Sequence, residues 1–134
     1  MPLVNIDLLA GRTEEELATI ADSVHDAMVE ELDVPRRDRF HVITQHSPAT
    51  LHFDRHYLDI ERSDRFVMVQ ITLSAGRSAE AKSAFYARLA ALLTDRAGLR
   101  PEDLAVVLVE NERTDWSFGR GQASYVMLPR DQWR

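Results

Sequence analysis

Pro2 is the first residue in the sequence that has the chemical type to do catalysis. It follows the initiator methionine directly, and a small second residue normally permits removal of Met1. The group then exposed is a secondary amine on a rigid ring. An ordinary α-amino group has a pKa of about 7.7–8.0, and burial or a nearby cation lowers it, so that a neutral base or nucleophile is present near pH 7. If Met1 stays, the nitrogen is an amide without basicity. Pro2 alone is more simply explained as a common second residue.

Arg77 is the second candidate, because it stands between an apolar run and a helix start. It belongs to the turn Ala75-Gly76-Arg77-Ser78, and serine is a favoured residue at a helix N-terminus. Helix N-termini attract anions, and a guanidinium can hold a carboxylate through two hydrogen bonds. The turn therefore predicts an anchor for a small carboxylate substrate. A solvated turn arginine is the simpler alternative.

Histidines are concentrated in one stretch of the chain: His41, His46, His52 and His56. Three histidines can ligate zinc, but this spacing fits no helix face and no acidic partner stands clearly beside it. We therefore expect no metal and no other cofactor. The loop from His46 to Asp64 is expected to cover a pocket instead, with Tyr57 or one of the histidines contacting the substrate.

The composition limits the classes of partner. The 134 residues include 16 lysines and arginines, 22 aspartates and glutamates, and no cysteine, for a net charge of −6. This balance disfavours nucleic acid and anionic membranes, and the lack of cysteine excludes disulfides and thiolate sites. No apolar run approaches the roughly 20 residues of a membrane span, and the N-terminus lacks the pattern of a signal peptide. We expect one domain over residues 1–134, located in the cytoplasm, with no nucleic-acid or membrane partner.

The elements that must position these residues occur twice. Residues 2–9 alternate apolar and polar, a capping box Thr13-x-x-Glu16 opens a helical stripe, and residues 39–45 suggest a second strand. Residues 66–73 form a strong strand pattern, Ser78 opens a second helical stripe, and residues 104–110 suggest a fourth strand. The steps from Thr13 to Ser78 and from Ile20 to Phe85 are both 65 residues.

This repeat predicts an α+β fold made of duplicated β-α-β units, about 2–45 and 66–110, with a C-terminal tail of residues 111–134. The units form a four-stranded sheet with two helices on one face. Trp116 to Met127 are expected to add a C-terminal hairpin. The second sheet face, with apolar residues from the set Val67, Val69 and Ile71, is expected to pack against another subunit.

Taken together, these features resemble the tautomerase superfamily and its malonate semialdehyde decarboxylase-like branch. The resemblance extends over nearly the whole chain. It rests on Pro2 and on four segments: Val34-Pro35-Arg36-Arg37-Asp38-Arg39-Phe40, Ala75-Gly76-Arg77-Ser78, Val109-Glu110-Asn111 and Asp115-Trp116-Ser117-Phe118-Gly119. It implies trimers of duplicated β-α-β chains that act without a cofactor.

The resemblance also implies a role for each matching residue. Pro2 is the catalytic amine, Arg77 binds and polarises the substrate, Asp38 activates water or orients the substrate, and Trp116 and Phe118 form an apolar wall. Better-known members of the branch carry Arg-x-Arg at the turn, whereas here Ala75 takes the first arginine's position. The single arginine leaves efficient decarboxylation open.

Two functions remain in competition at this stage. The first is an enzyme that moves a proton between keto and enol forms of a small acid, with decarboxylation or hydration as further reactions. The second is a non-catalytic, ferredoxin-like oligomeric module that binds a small metabolite between subunits, since the element order fits both and a fold does not carry a function.

Overall fold

The sheet is built from two β-α-β units joined side by side. A computed structural model describes residues 2–132. The main elements are β1 (Leu3–Leu9), α1 (Glu14–Glu31), β2 (Phe40–His46), β3 (Val67–Ser74), α2 (Ala79–Ala97) and β4 (Leu104–Asn111). The strand order is β2-β1-β3-β4, parallel within each unit and antiparallel between β1 and β3. The predicted four-stranded sheet is confirmed.

The two units match residue by residue at a separation of 65 positions. Thr13 and Ser78 cap α1 and α2 in the same way, each side-chain oxygen accepting a backbone N–H three residues on at 3.1 Å. Gly11 and Gly76 both have φ of 130°, a conformation that glycine adopts without the cost a side chain would add. Each turn therefore needs its glycine to direct the chain from strand to helix.

The loops after the helices follow the same relation. The Asp38 N–H donates to the Pro35 carbonyl at 3.0 Å, and the Asp103 N–H donates to the Arg100 carbonyl at 2.9 Å. Pro35 therefore corresponds in space to Arg100, although the sequence suggests a match with Pro101. The proline after the helix therefore lies one residue later in the second unit than in the first, whereas the geometry of the loop is the same.

One face of the sheet packs against both helices and forms the core. β1 contributes Val4, Ile6 and Leu8, and the helices contribute large apolar residues such as Phe85 and Leu89. The placement of Val67, Val69 and Ile71 on the subunit-facing side of the sheet is wrong, because all three are fully buried beneath the helices. The strand alternation has period two, so their neighbours lie on the other face.

On the second face of the sheet, the described residues place neither of the two long helices. Its exposed apolar side chains come from three strands: Phe40, Val42, Met68, Val107 and Val109. Polar residues of the central strands, Asn5 and Gln70, lie between them in register. No helix within residues 2–132 has the length and apolar character needed to cross a bilayer.

The predicted C-terminal hairpin is wrong for the part of the tail that the structure describes. Residues 113–115 form a 3₁₀ turn, and α3 (Ser124–Met127) is a single helical turn. Gly119, Arg120 and Gly121 all have positive φ, so the chain coils at the point where the hairpin needed extended strands. A two-stranded hairpin without a third strand is also marginally stable.

Candidate active site

The start of β1 lies beside the loop that connects α1 to β2. Leu3 pairs with Phe40 in the parallel register of β1 and β2. Pro2 therefore lies next to the residues that precede Phe40, among them Asp38. Pro2 is buried at this edge of the sheet. Strand pairing thus brings together two of the residues that the sequence singled out.

Asp38 is an acidic side chain held inside the protein. It is 5 % exposed, and the turn closed on the Pro35 carbonyl fixes its backbone. Burial raises the pKa of Asp38, and nearby positive charge, including that of Arg77, opposes the rise. A buried carboxyl of this kind exchanges a proton nearer neutral pH than an exposed one, which suits acid–base chemistry.

Arg77 reaches the same region from the end of β3. Its Nε donates to the Leu32 carbonyl at 2.8 Å, and its Nη1 donates to the Ser74 carbonyl at 3.0 Å. A guanidinium has five N–H donors, so these two bonds orient the side chain and leave three N–H donors, one on Nη1 and two on Nη2. Burial lowers the pKa of Arg77, with Asp33 and Asp38 opposing, but an arginine stays charged at neutral pH.

Asp38 and Arg77 line one cavity of about 390 Å³. Three segments form its wall: residues 32–35 with Asp38 before β2, residues 74–77 at the end of β3, and Arg113 with Tyr125 from the tail. The volume suits a small organic acid. Pro2 is buried at the start of β1 and is not among the residues that line the cavity.

Trp116 and Phe118 lie in an aromatic stack behind the cavity wall. Their rings are 5.3 Å apart and nearly parallel, and the Trp116 Nε1–H donates to Asn111 at 2.9 Å. Phe118 also contacts Phe40 at 5.4 Å and the ring of Tyr125 at 5.5 Å, edge to face. Of these three rings, Tyr125 is the one that lines this cavity, and a contact of Trp116 or Phe118 with substrate stays a prediction.

Tyr125 and Arg113 are the site residues that the sequence did not reveal. Burial raises the pKa of Tyr125, and the negative charge of Asp38 adds to the rise, so its hydroxyl keeps its proton at neutral pH. The sequence predicts a hairpin for the tail, and a hairpin gives Tyr125 no defined direction. The one signal available was a tyrosine within an otherwise apolar segment, Tyr125-Val-Met-Leu.

Tyr57 is not among the residues that line this cavity. It begins a 3₁₀ turn, Tyr57–Asp59, and its side chain is 65 % exposed. Arg62 donates to the carbonyls of Asp54, Tyr57 and Ile60 at 3.0–3.3 Å and so fixes the loop. A contact between Tyr57 and substrate stays a prediction.

His46, at the end of β2, and His52, in the following loop, make hydrogen bonds within this region. His46 lies 2.6 Å from Asp7 and 3.0 Å from the Thr50 hydroxyl, and His52 bonds the Ala49 carbonyl at 3.0 Å. Within residues 2–132, no three histidine or acidic side chains come together as a metal site would require.

Comparison with known proteins identifies the family. Two family models described as tautomerase enzymes match residues 2–58 and 38–119, the second covering more than half of the chain. The chain therefore belongs to the tautomerase family. The probable tautomerase YusQ of Bacillus subtilis (strain 168) is 37% identical over 126 residues, which is 94% of this chain and 99% of the relative.

Solved structures place the chain in the malonate semialdehyde decarboxylase-like branch. A malonate semialdehyde decarboxylase, whose structures explain decarboxylase and hydratase activities, is 37% identical with a TM-score of 0.87 and covers 92% of this chain and 95% of its own. A fused 4-OT symmetric trimer, at 22% identity and a TM-score of 0.73, covers 90% and 94% and shares the fold.

Proposed function

We propose that this tautomerase-family enzyme uses the nitrogen of Pro2, freed by removal of Met1, to move a proton on a small carboxylated oxo or enol acid. The observation that carries the proposal is the cavity in which the buried Asp38 and the oriented Arg77 meet beside the start of β1. A base, an anion anchor and a second acid–base group are what keto–enol proton transfer requires.

Each residue has a distinct task in the tautomerisation. The N–H groups of Arg77 that are not bonded to Leu32 and Ser74 hold the substrate carboxylate in two hydrogen bonds. Neutral Pro2 takes a proton from the substrate carbon or from the enol hydroxyl and returns it at the other end of the conjugated system. Asp38 orients the substrate or a water molecule.

The same site supports a second reaction when Pro2 carries its proton. In decarboxylation of a 3-oxo acid, the bond to the carboxyl carbon breaks and its electrons form an enolate, which Pro2 then protonates at carbon. Hydration of an acetylenic or haloacrylic acid uses the same proton donor. The similarity to a malonate semialdehyde decarboxylase supports this reaction. Ala75 leaves one arginine at the turn, so we rank it below tautomerisation.

The pKa of the Pro2 amine decides between these reactions. The buried position favours the neutral amine, whereas an ionised Asp38 favours the ammonium form. Tyr125 also lines the cavity, and its protonated hydroxyl can stabilise an enolate oxygen. The aromatic stack of Trp116 and Phe118 behind it limits water and strengthens these contacts.

We propose that the enzyme acts as a homotrimer. Exposed apolar side chains on the second sheet face need cover, and they extend over three strands: Phe40, Val42, Met68, Val107 and Val109. Exposed apolar side chains spread over an open sheet face favour an interface between subunits. The trimeric fused 4-OT relative supports three copies over two.

A Pro2→Ala variant tests the mechanism directly. Mass spectrometry first establishes that the wild-type chain begins at Pro2. Turnover is then measured on the enol form of phenylpyruvate, on malonate semialdehyde and on an acetylenic acid. We expect kcat/KM to fall by about 100-fold or more, the usual contribution of a positioned acid–base group. A wild-type chain that retains Met1 serves as the matched control and should be equally impaired. Full activity of Pro2→Ala would contradict the mechanism, and binding without turnover would favour the metabolite-binding module.

A further inference from the structure

The loop that carries Asp38 is attached to α1 by two ion pairs on the surface. Asp22 accepts from Arg39 Nη2 at 2.7 Å, and Asp26 pairs with Arg36. Both pairs are largely exposed, and exposed ion pairs contribute about 0–1 kcal/mol each. These contacts alone do not explain how the loop keeps the Asp38 carboxyl in one place.

A third attachment, from His25 of α1, is buried. His25 is 3 % exposed, and its Nε2 lies 2.8 Å from the carbonyl oxygen of Arg36, two residues before Asp38. A carbonyl only accepts hydrogen bonds, so Nε2 carries the proton and donates. Nδ1 is buried without a hydrogen-bond partner among the described residues. The His25 ring is therefore hydrogen-bonded to the loop through one atom, Nε2.

His41 of β2 packs against the ring of His25. The two centroids are 5.8 Å apart, with the planes at 69°. Both ring nitrogens of His41 are buried without a hydrogen-bond partner in the described chain. Burial lowers the pKa of His41 to about 4, Arg39 and His25 add to the lowering, and Asp22 opposes it. At neutral pH His41 is thus uncharged, and its ring packs against the His25 ring and holds it in place.

The second β-α-β unit shows that the fold does not need this pair. The residues 65 positions later are Ala90 in α2 and Val106 in β4, and Pro101 corresponds to Arg36. Val106 packs against the core, and neither it nor Ala90 has a side-chain donor. The same loop geometry forms there, since Asp103 and Asp38 close equivalent turns. Two buried histidines with unsatisfied nitrogens cost stability, so a requirement other than folding explains them.

We propose that His25 is a positioning residue for Asp38: its Nε2–H holds the Arg36 carbonyl, and through it the carboxyl two residues further on, with His41 packed behind the ring. The use of Asp38 in chemistry rests on the proposed function, but its position does not. A carboxyl displaced by about 1 Å can lose up to 100-fold in rate, which gives the contact a functional effect larger than its energy.

Two substitutions at position 25 separate the donor from the bulk of the side chain. In His25→Gln the amide nitrogen reaches the place of Nε2 and can donate to Arg36. In His25→Asn the shorter amide reaches only the place of Nδ1. We expect kcat of the glutamine variant within about threefold of wild type, and kcat of the asparagine variant lower by about 10- to 100-fold with KM little changed. Equal impairment of both variants would overturn the proposal.

Two controls distinguish positioning from general damage. Asp22→Asn removes one exposed ion pair from the same loop and should change kcat by less than about twofold. The double variant His25→Ala/His41→Val copies the second unit, so circular dichroism and oligomer mass should match wild type while kcat falls as in His25→Asn. A double variant with wild-type kcat would contradict the assignment.

An NMR titration tests the position of Asp38 without any substrate. His25 is one of the groups whose charge lowers the pKa of Asp38, and both substitutions remove it, so His25→Gln is the reference, in which the ¹³C carboxyl signal of Asp38 should titrate at a raised pKa. In His25→Asn, the midpoint should move toward the ordinary aspartate value of about 3.9 as the loop opens to water. An unchanged midpoint in His25→Asn would refute the proposal. If the wild type turned over none of the acids, the proposed function would fail while this titration still decided the role of His25.

Discussion

The two β-α-β units place the same charged pair at equivalent positions, but the two pairs have different surroundings. Arg77 of the second unit meets Asp38 of the first at the candidate active site. Sixty-five residues away on each side, Arg12 and Asp103 form the counterpart pair. Both members of the counterpart pair are buried. The difference between these regions shows what turns a charged pair into a site.

The connecting loop fills the space beside the counterpart pair. Asp103 accepts from the backbone N–H and the hydroxyl of Ser63, both at 2.7 Å, and Arg12 donates to the Arg65 carbonyl at 2.5 Å. The counterpart of Pro2 is Val67, whose nitrogen is an amide joined to Phe66. An arginine and an aspartate at equivalent positions therefore hold the connecting loop in one region and line the cavity of the candidate active site in the other.

The largest contrast is expected from lysine at the two arginine positions. Arg77→Lys keeps the charge but loses the planar donor edge, so we expect kcat/KM to fall by about 100-fold, on the order of 2.7 kcal/mol. Arg12→Lys should leave kcat/KM of the folded enzyme within about twofold and lower its stability instead. Steady-state kinetics and urea unfolding of both variants measure the contrast. Equal kinetic losses would show that the two regions are not functionally distinct.

Asparagine at the two aspartate positions should divide stability from activity. Asp103→Asn leaves one oxygen for the two donors of Ser63, so we expect a loss of about 1–3 kcal/mol in the free energy of unfolding. Turnover per folded molecule should persist. Denaturant midpoints measure the effect, and an unchanged midpoint would argue against a structural role for Asp103.

Asp38→Asn provides the opposite half of this test. Burial raises the pKa of Asp38, which means that the folded protein disfavours its charge. The variant carries a neutral amide, so its denaturant midpoint should equal or exceed that of wild type. Its kcat should fall by about tenfold or more. A variant that lost stability but kept kcat would reverse the roles assigned to Asp38 and Asp103.

The sequence was sufficient for the elements whose pattern is local. Strand alternation, the caps Thr13 and Ser78 and the 65-residue step predicted the sheet and both helices, because each depends on near neighbours. The face of β3 was misassigned, since a period of two identifies two faces and not which one meets the helices. Pairing of β1 with β2 then decides that Pro2 lies near Asp38, and no local pattern encodes it.

The tail shows the limit of pattern more plainly. Trp116 and Phe118 alternate as in a strand, yet their rings stack on each other. Tyr125, which packs against Phe118, lines the cavity. Their direction depends on contacts with Phe40 and Asn111, which are distant along the chain. Asp38 and Asp103 are related in the sequence by the same 65-residue step, but the sequence does not show that Ser63 bonds to Asp103.

The smallest effect should come from acid pH at the histidine pair, which the second unit lacks. The pKa of His41 is lowered from 6.5 to about 4 by burial, so the unfolded chain binds the proton more tightly than the folded one. Its neutral form favours folding above pH 6.5, and this contribution is lost progressively as the pH falls from 6.5 to about 4. His41→Val copies Val106 and removes this dependence. Urea unfolding at pH 7 and pH 5 should therefore show a larger loss of stability for wild type than for the variant. Equal losses would mean that His41 is as accessible to protons in the folded enzyme as in the unfolded chain, and that the two units do not differ in this respect.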